Sequence, residues 1–299
     1  MRVGWIGLGA MGAPMAACVA RAGHEVRAYD IVPGRSAALA PDGVEAAETT
    51  GAAVGGADVA VFMVATPDQL EQALFGPDGA ADPDGALAAG AVVVITATVG
   101  PEAVVSAAAR LAGRGVAVVD APVSGGVQRA AAGDLLVMVS GAAGPVERVQ
   151  PVLGALARRA PVVGPSPGDG QRMKLVNQLL CGVHIAAAAE ALAFAEALGL
   201  RAADCWDVLR DGAAASFMFE DRGARMVAGQ FGAARSALDI FVKDMGLVGD
   251  AAAHAGAPAP LTEVARRLYE RGHELGLGRL DDSALIEVLR AGQPTGSDT

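Results

Sequence analysis

Short Val- and Ile-rich runs alternate with longer Ala-rich stretches through the first half of the chain. The runs predict β-strands at 2–6, 25–30, 59–64, 91–96, 116–120 and 135–140. Between most of them the apolar positions take helical spacing, as at 11–21 and 101–112, and Gly23 stands where a helix C′ residue belongs. Strands alternating with helices imply a mainly parallel sheet covered on both faces. The texture changes where Pro161, Gly164, Pro165, Pro167, Gly168 and Gly170 crowd together, which marks a domain boundary. Beyond it no strand pattern is evident. Leu175, Leu179, Val183 and Ala187 fall at helical spacing, so 171–198 reads as one long helix. Shorter helical segments continue to Leu289, punctuated by Gly199, Gly212, Gly229 and Pro258, and 293–299 reads as a frayed tail. The expected architecture is α/β: a doubly wound N-terminal domain (1–163), then an all-α C-terminal domain (164–299), joined by a long interdomain helix.

Composition narrows what such a molecule can do. With 53% hydrophobic but only 4% aromatic residues, its cores must be built from Ala, Val and Leu. A formal charge of −10 argues against nucleic acid or an anionic membrane as the main partner, since both need a basic face. Cys18, Cys181 and Cys205 are scattered without zinc-ligand spacing, and an odd trio suggests no disulfide framework. The four histidines show no metal spacing either. The glycine turn comes too early for a secretory leader, and the Ala-rich stretches are broken by Glu, Arg or Asp. A cytoplasmic protein is expected. An Ala-rich helical domain behind a long helix would expose apolar faces if left alone, which predicts a homodimer or homotetramer.

Candidate chemistry begins immediately after the first strand. Gly7-Leu8-Gly9-Ala10-Met11-Gly12 fits G-x-G-x-x-G between a strand and a helix, the pattern that brings a dinucleotide pyrophosphate against free backbone N–H groups. The second strand ends in Asp30, which can accept hydrogen bonds from ribose hydroxyls and would repel a 2′-phosphate, favouring NAD over NADP. Arg35 lies close by in sequence and reads as a solvated arginine. A second constellation, Asp120-Ala-Pro-Val-Ser124-Gly125-Gly126, follows a strand and so lies at the carboxyl edge of the sheet. The Ser124 hydroxyl and the unobstructed N–H groups of Gly125 and Gly126 suit a carboxylate. Third, Gly168-Asp169-Gly170 opens the long helix. Lys174 and Asn177 follow on one helical face, with Gln178 one turn from Lys174.

Together these motifs resemble the β-hydroxyacid dehydrogenases, the group of 3-hydroxyisobutyrate dehydrogenase, over nearly the whole chain. The matching segments, in order, are Ile6 to Met15, Asp120 to Gly126, Gly168 to Gln178, and Lys243-Asp244. The resemblance implies a Rossmann-type NAD domain and a small hydroxy acid as substrate. It implies Lys174 as general acid/base, with Asn177 or Gln178 orienting the substrate and Ser124, Gly125 and Gly126 holding its carboxylate. By the same resemblance Val64, Ala65 and Gln69 contact the cofactor, Thr98 sits beside the nicotinamide ribose, and Lys243 lies near the cofactor. This chain has Ala65 where the family loop carries proline, and Ile95 and Ala97 where it carries Asp and Ser. Segments from Gln178 to Ala187, Phe217 to Arg222, Asp239 to Val248 and Asp281 to Ala284 are similar to a subgroup that oxidises four-carbon sugar acids with NAD. Reactions of the 3-hydroxyisobutyrate or tartronate semialdehyde type use the same parts and stand as the alternative. A cofactor-binding scaffold without turnover is the reading from outside the enzymes.

Overall fold

The computed structural model describes residues 1–81 and 86–291. The tail expected at 293–299 lies outside them. The chain divides into two compact units, Met1–Lys174 and Leu175 onward.

In the first unit the strands are β1 (Arg2–Ile6), β2 (Glu25–Tyr29), β3 (Val44–Ala46), β4 (Val59–Phe62), β5 (Val92–Ile95), β6 (Ala117–Asp120), β7 (Val123–Ser124), β8 (Leu135–Val137), β9 (Val139–Ser140), β10 (Ala157–Arg159) and β11 (Val162–Gly164). The helices are α1 (Gly12–Arg21), α2 (Thr50–Val54), α3 (Pro67–Phe75), α4 (Pro101–Ala112), α5 (Gly126–Ala132) and α6 (Ala143–Leu156). The main sheet runs β11-β9-β6-β5-β4-β1-β2-β3, and β10-β8-β7 form a small second sheet. Within the main sheet β3-β2-β1-β4-β5-β6 are all parallel, which is the doubly wound dinucleotide-binding order. The order reverses at β1, so a crevice opens beyond its carboxyl end, where the glycine turn lies.

The period-2 pattern of the strands shows directly in the packing. Val3, Trp5, Val59, Val61, Val92 and Val94 point to the face covered by Met15 and Val19 of α1 and by Val149, Val152 and Leu153 of α6. Ile6, Ala60, Phe62, Val93 and Ile95 point to the opposite face, against Leu70 and Leu74 of α3 and Val104 and Leu111 of α4. Both faces are dry, so the strands read as continuous apolar runs rather than alternating ones.

One predicted strand is two. The run 135–140 splits at Met138, whose N–H goes to the Pro122 carbonyl at 2.9 Å. Leu135–Val137 pairs in the small sheet, and Val139–Ser140 joins the main sheet antiparallel to β6. Hydrophobicity is unbroken there, and only pairing partners distant in sequence reveal the step. The predicted strand and helix ends move by one or two residues elsewhere. β11 forms inside the stretch that reads as a boundary.

The second unit contains α8 (Ala202–Leu209), α9 (Phe217–Ala228), α10 (Leu238–His254), α11 (Pro260–Glu274) and α12 (Leu285–Ala291). Preceding them is α7 (Asp169–Ala197), inside which the division between units falls. Ile185, Ala189, Leu192, Met226, Leu238, Phe241, Met245, Tyr269 and Leu285 make its core. Phe241 and Tyr269 stack with centroids 5.3 Å apart, and the Tyr269 hydroxyl donates to the Gly182 carbonyl at 3.0 Å. Among the described residues only α7 is long and apolar enough to cross a membrane, but 56% of its most apolar window is buried inside the protein, as in a core helix.

Candidate active site

The three motif glycines each answer a different constraint. Gly7 has φ +94°, and a Cβ there would lie 2.4 Å from the Met63 carbonyl oxygen. A Cβ on Gly12 would lie 2.0 Å from the Gly7 carbonyl oxygen, so α1 can pack on its strand only through glycine. Around Gly9 no protein atom lies within 4 Å of such a Cβ. Its smallness serves no contact within this chain and suits a pyrophosphate drawn against the backbone. Leu8, the residue between Gly7 and Gly9, donates its N–H to Asp30 Oδ2 at 2.6 Å. Ala10 is exposed and Met11 half-buried at the start of α1.

Asp30 therefore does more than end β2. Its Oδ1 also accepts from the Val32 N–H at 2.8 Å, and Arg35 Nη1 approaches both oxygens at 3.3 and 3.4 Å. A carboxylate offers about four lone-pair sites, and these contacts occupy all four, the two from Arg35 being the longest. Arg35 is paired with Asp30, not merely solvated as the sequence suggests.

The loop after β4 is set by the N-cap of α3 at Thr66, with Gln69 reaching back one residue further than a capping box does. Thr66 Oγ1 accepts from the Gln69 N–H at 3.1 Å, and Gln69 Oε1 accepts from the Ala65 N–H at 2.8 Å. A proline at 65 could not make that second bond, so the departure from the family pattern is matched by a new contact. Val64 is half-buried beside it, and Gln69 holds the loop from the exposed side.

Val64-Ala65, Thr98 and the Ser124-Gly125-Gly126 turn follow β4, β5 and β6 in turn. With the glycine loop after β1, all stand at the carboxyl edge of adjacent strands. Gly125 and Gly126 have φ of +145° and +77°, and a Cβ on Gly125 would press on Leu135 and Arg129 at 3.0–3.2 Å. Glycine is required at Gly125 on both counts.

The first turn of α7 is locked to this edge by a buried polar network. Asp120, the last residue of β6, is fully buried. Its Oδ2 accepts from the Gly168 N–H (3.0 Å), the Gln171 N–H (2.8 Å) and Ser140 Oγ (3.4 Å), and its Oδ1 accepts from Gln171 Nε2 (2.8 Å). Burial pushes the Asp120 carboxyl above its ordinary value, against these hydrogen bonds. Ser140 Oγ in turn accepts from the Gly170 N–H at 2.8 Å. A Cβ on Gly170 would lie 2.7 Å from the Met138 carbonyl oxygen, so the helix start sits flush on the sheet. Lys174 lies three residues after Gln171 and four after Gly170, on the same helical face, and is only 6% exposed.

Asn177, Gln178 and Lys243 belong to the second unit and form a chain there. Asn177 Nδ2 donates to Gln178 Oε1 at 2.8 Å, Gln178 Nε2 donates to Asp244 Oδ2, and Lys243 Nζ pairs with Asp244 Oδ1 at 2.8 Å. Gln178 thus has both ends of its amide engaged within the protein.

Phe217 to Arg222 and Asp281 to Ala284, two of the segments whose likeness points to the sugar-acid subgroup, are joined to each other. Arg222 meets buried Asp282 through two hydrogen bonds of 3.1 and 3.0 Å and Asp221 at 2.8 Å. Arg225 reaches Asp281 at 2.7 Å and pairs with Asp221. Burial alone would lower the pKa of Arg222, but the charges and hydrogen bonds of Asp282 and Asp221 outweigh it and hold it above the ordinary arginine value. These ion pairs form a structural clamp.

A glycine loop at the switch point of a parallel sheet, with an acidic residue after β2, is the arrangement of a dinucleotide-binding protein. Two family models match the chain: the NAD-binding domain of 6-phosphogluconate dehydrogenase over residues 2–164, and the NAD-binding region of NADP-dependent 3-hydroxyisobutyrate dehydrogenase over 168–289. The chain belongs to the 3-hydroxyisobutyrate dehydrogenase-like β-hydroxyacid dehydrogenases, and it is an NAD-binding oxidoreductase. It is 39% identical to the L-threonate dehydrogenase of Cupriavidus necator, over 96% of this chain and 95% of that one. It is 33% identical to 2-(hydroxymethyl)glutarate dehydrogenase of Eubacterium barkeri, over 96% and 94%. The crystal structure of a 3-hydroxyisobutyrate dehydrogenase from Salmonella typhimurium superposes with a TM-score of 0.88 at 38% identity, covering 96% of this chain and 99% of that one.

Proposed function

We propose that this enzyme oxidises a four-carbon sugar acid, L-threonate or a close relative, with Lys174 as the general acid/base. The observation that carries the catalytic assignment is the lock of α7 onto the end of β6. It puts a buried lysine one turn beyond the sheet edge that also bears the glycine loop, Thr98 and the Ser124-Gly125-Gly126 turn. NAD, when bound, supplies the hydride acceptor and is held by Gly7 to Gly12, Asp30, Val64, Ala65 and Thr98, with Lys243 as a further contact. Ser124 and the N–H groups of Gly125 and Gly126 hold the substrate carboxylate. Lys174 Nζ takes the proton from the hydroxyl oxygen in oxidation and returns it in reduction. Asn177 orients the substrate, while Gln178 acts through Asn177 and Asp244.

The substrate assignment rests on the identity to L-threonate dehydrogenase along nearly the whole chain. A 3-hydroxyisobutyrate-type reaction is the second reading, favoured by the 38% identity and close superposition with the Salmonella enzyme. Rates with L-threonate, 3-hydroxyisobutyrate and glycerate, each with NAD and NADP at the NADH absorbance, separate the two. The highest kcat/KM is expected for L-threonate with NAD, and a clear preference for 3-hydroxyisobutyrate would overturn that choice. Lys174→Ala should lower kcat by about 10²–10⁴ while leaving the Kd for NADH within about threefold. Wild-type turnover in that variant would sink the assignment. We place the enzyme in the cytoplasm as a homo-oligomer, a dimer or tetramer, through apolar faces of the helical unit.

A further inference from the structure

The most completely bonded polar side chain around the first turn of α7 belongs to a residue with no assigned chemistry. Gln171 is fully buried. Its Oε1 accepts from the Val99 N–H at 3.0 Å and the Gly100 N–H at 3.1 Å. Its Nε2 donates to the Ala97 carbonyl at 3.0 Å and to Asp120 Oδ1 at 2.8 Å. A carboxamide has two N–H donors and two acceptor lone pairs, and here all four are used.

We propose that Gln171 is a positioning residue for the hydride-transfer reaction. Its one carboxamide ties the 97–100 loop, which carries Thr98, to the first turn of α7, which carries Lys174. The inference rests on the proposed roles of Thr98 and Lys174. The loop after β5 makes its two N–H bonds and its carbonyl bond to the same side chain, so it follows the helix rather than floating beside it. Ser140 and the close fit of Gly170 remove slack on the helix side. The lysine and the cofactor-side threonine are therefore held in one register through a single group. A shift of about 1 Å at a reacting centre costs roughly 10²-fold in rate. An apolar side chain of equal length would fill the space but leave both segments to settle independently. Glutamate would keep the acceptor half and set a second carboxylate against Asp120.

The test compares Gln171→Met and Gln171→Glu with Val152→Ala, a substitution in the core against α6, at matched loss of Tm. Each is assayed for kcat and for KM with NAD and with the best hydroxy acid of the panel, and Lys174→Ala is run alongside. Both Gln171 variants are expected to lose roughly 10- to 100-fold in kcat with KM for NAD within about threefold, while Val152→Ala keeps wild-type kcat. A folded Gln171 variant turning over within threefold of Val152→Ala would overturn the proposal. So would unfolding of both variants at the assay temperature, which would assign Gln171 to stability alone. If Lys174→Ala is inactive and the Gln171 variants are not impaired, only the positioning role is lost. If Lys174→Ala keeps wild-type turnover, the reading of the site itself is lost.

Discussion

Gly7, Gly9 and Gly12 differ in what a methyl group would meet, and the difference is measurable. At Gly12 it would collide with the Gly7 carbonyl, a rigid backbone atom, so Gly12→Ala must push α1 off its strand. A loss of about 1–3 kcal/mol of stability is expected, read as a lower urea midpoint. At Gly9 the methyl group meets nothing in the protein. Gly9→Ala should keep wild-type stability and weaken NADH binding at least tenfold in a fluorescence titration. Equal stability loss in both variants would contradict this division of labour. The motif was legible in the sequence because its spacing is local. The role of the third glycine in helix packing was legible too, but not the atom that Gly7 would meet, since Met63 comes next to it only when β4 lies beside β1. Asp30 shows the same limit. Its place after β2 was readable, whereas its bonds to the Leu8 N–H and to Arg35 arise only once β1 and β2 lie side by side.

Among the elements, α7 is the most legible and the least explained by its own sequence. Its apolar spacing and its Gly-Asp-Gly start could be read directly. What holds that start is a carboxylate 51 residues earlier on β6 and a hydroxyl on β9. The split of 135–140 into β8 and β9 belongs to the same event, because Ser140 reaches Asp120 only after the chain has stepped into the main sheet. In the helical unit, α9 is tied to the turn before α12 through Asp281. Burial would raise that carboxyl, but hydrogen bonds from Ser283 and the Arg235 N–H and the charge of Arg225 outweigh it and hold it below the ordinary aspartate value. A carboxyl lowered on folding contributes stability that is present above its unfolded pKa and fades as the pH falls through its folded value. Asp281→Asn should therefore be less stable than wild type near pH 6, with the gap closing in urea titrations as the pH falls below the ordinary aspartate pKa. A gap that widens as the pH falls would refute the assignment.

At the scale of the whole molecule, the helical unit leaves large apolar side chains in water. Phe194 is 62% exposed, Leu198 60%, Val208 70% and Leu261 65%. Phe194, in the last turn of α7, and Leu198, just past its end, are joined by the Leu198 N–H bond to the Phe194 carbonyl. Sedimentation velocity is expected to show a dimer or tetramer, and Phe194→Glu with Leu198→Glu is expected to shift it toward monomer; a wild-type monomer at micromolar concentration would remove the proposal. The sequence by itself determined the alternation of strand and helix, the glycine turn, the separate helical segment and the family, because each is written in local period, spacing or motif order. Tertiary structure alone decided why Ala65 suits its loop, how Arg222 and Arg225 clamp Asp281 and Asp282, and what seats Lys174. Those outcomes depend on polar atoms meeting across tens of residues. A buried donor must find its acceptor wherever the fold brings one, and no periodicity along the chain records that meeting.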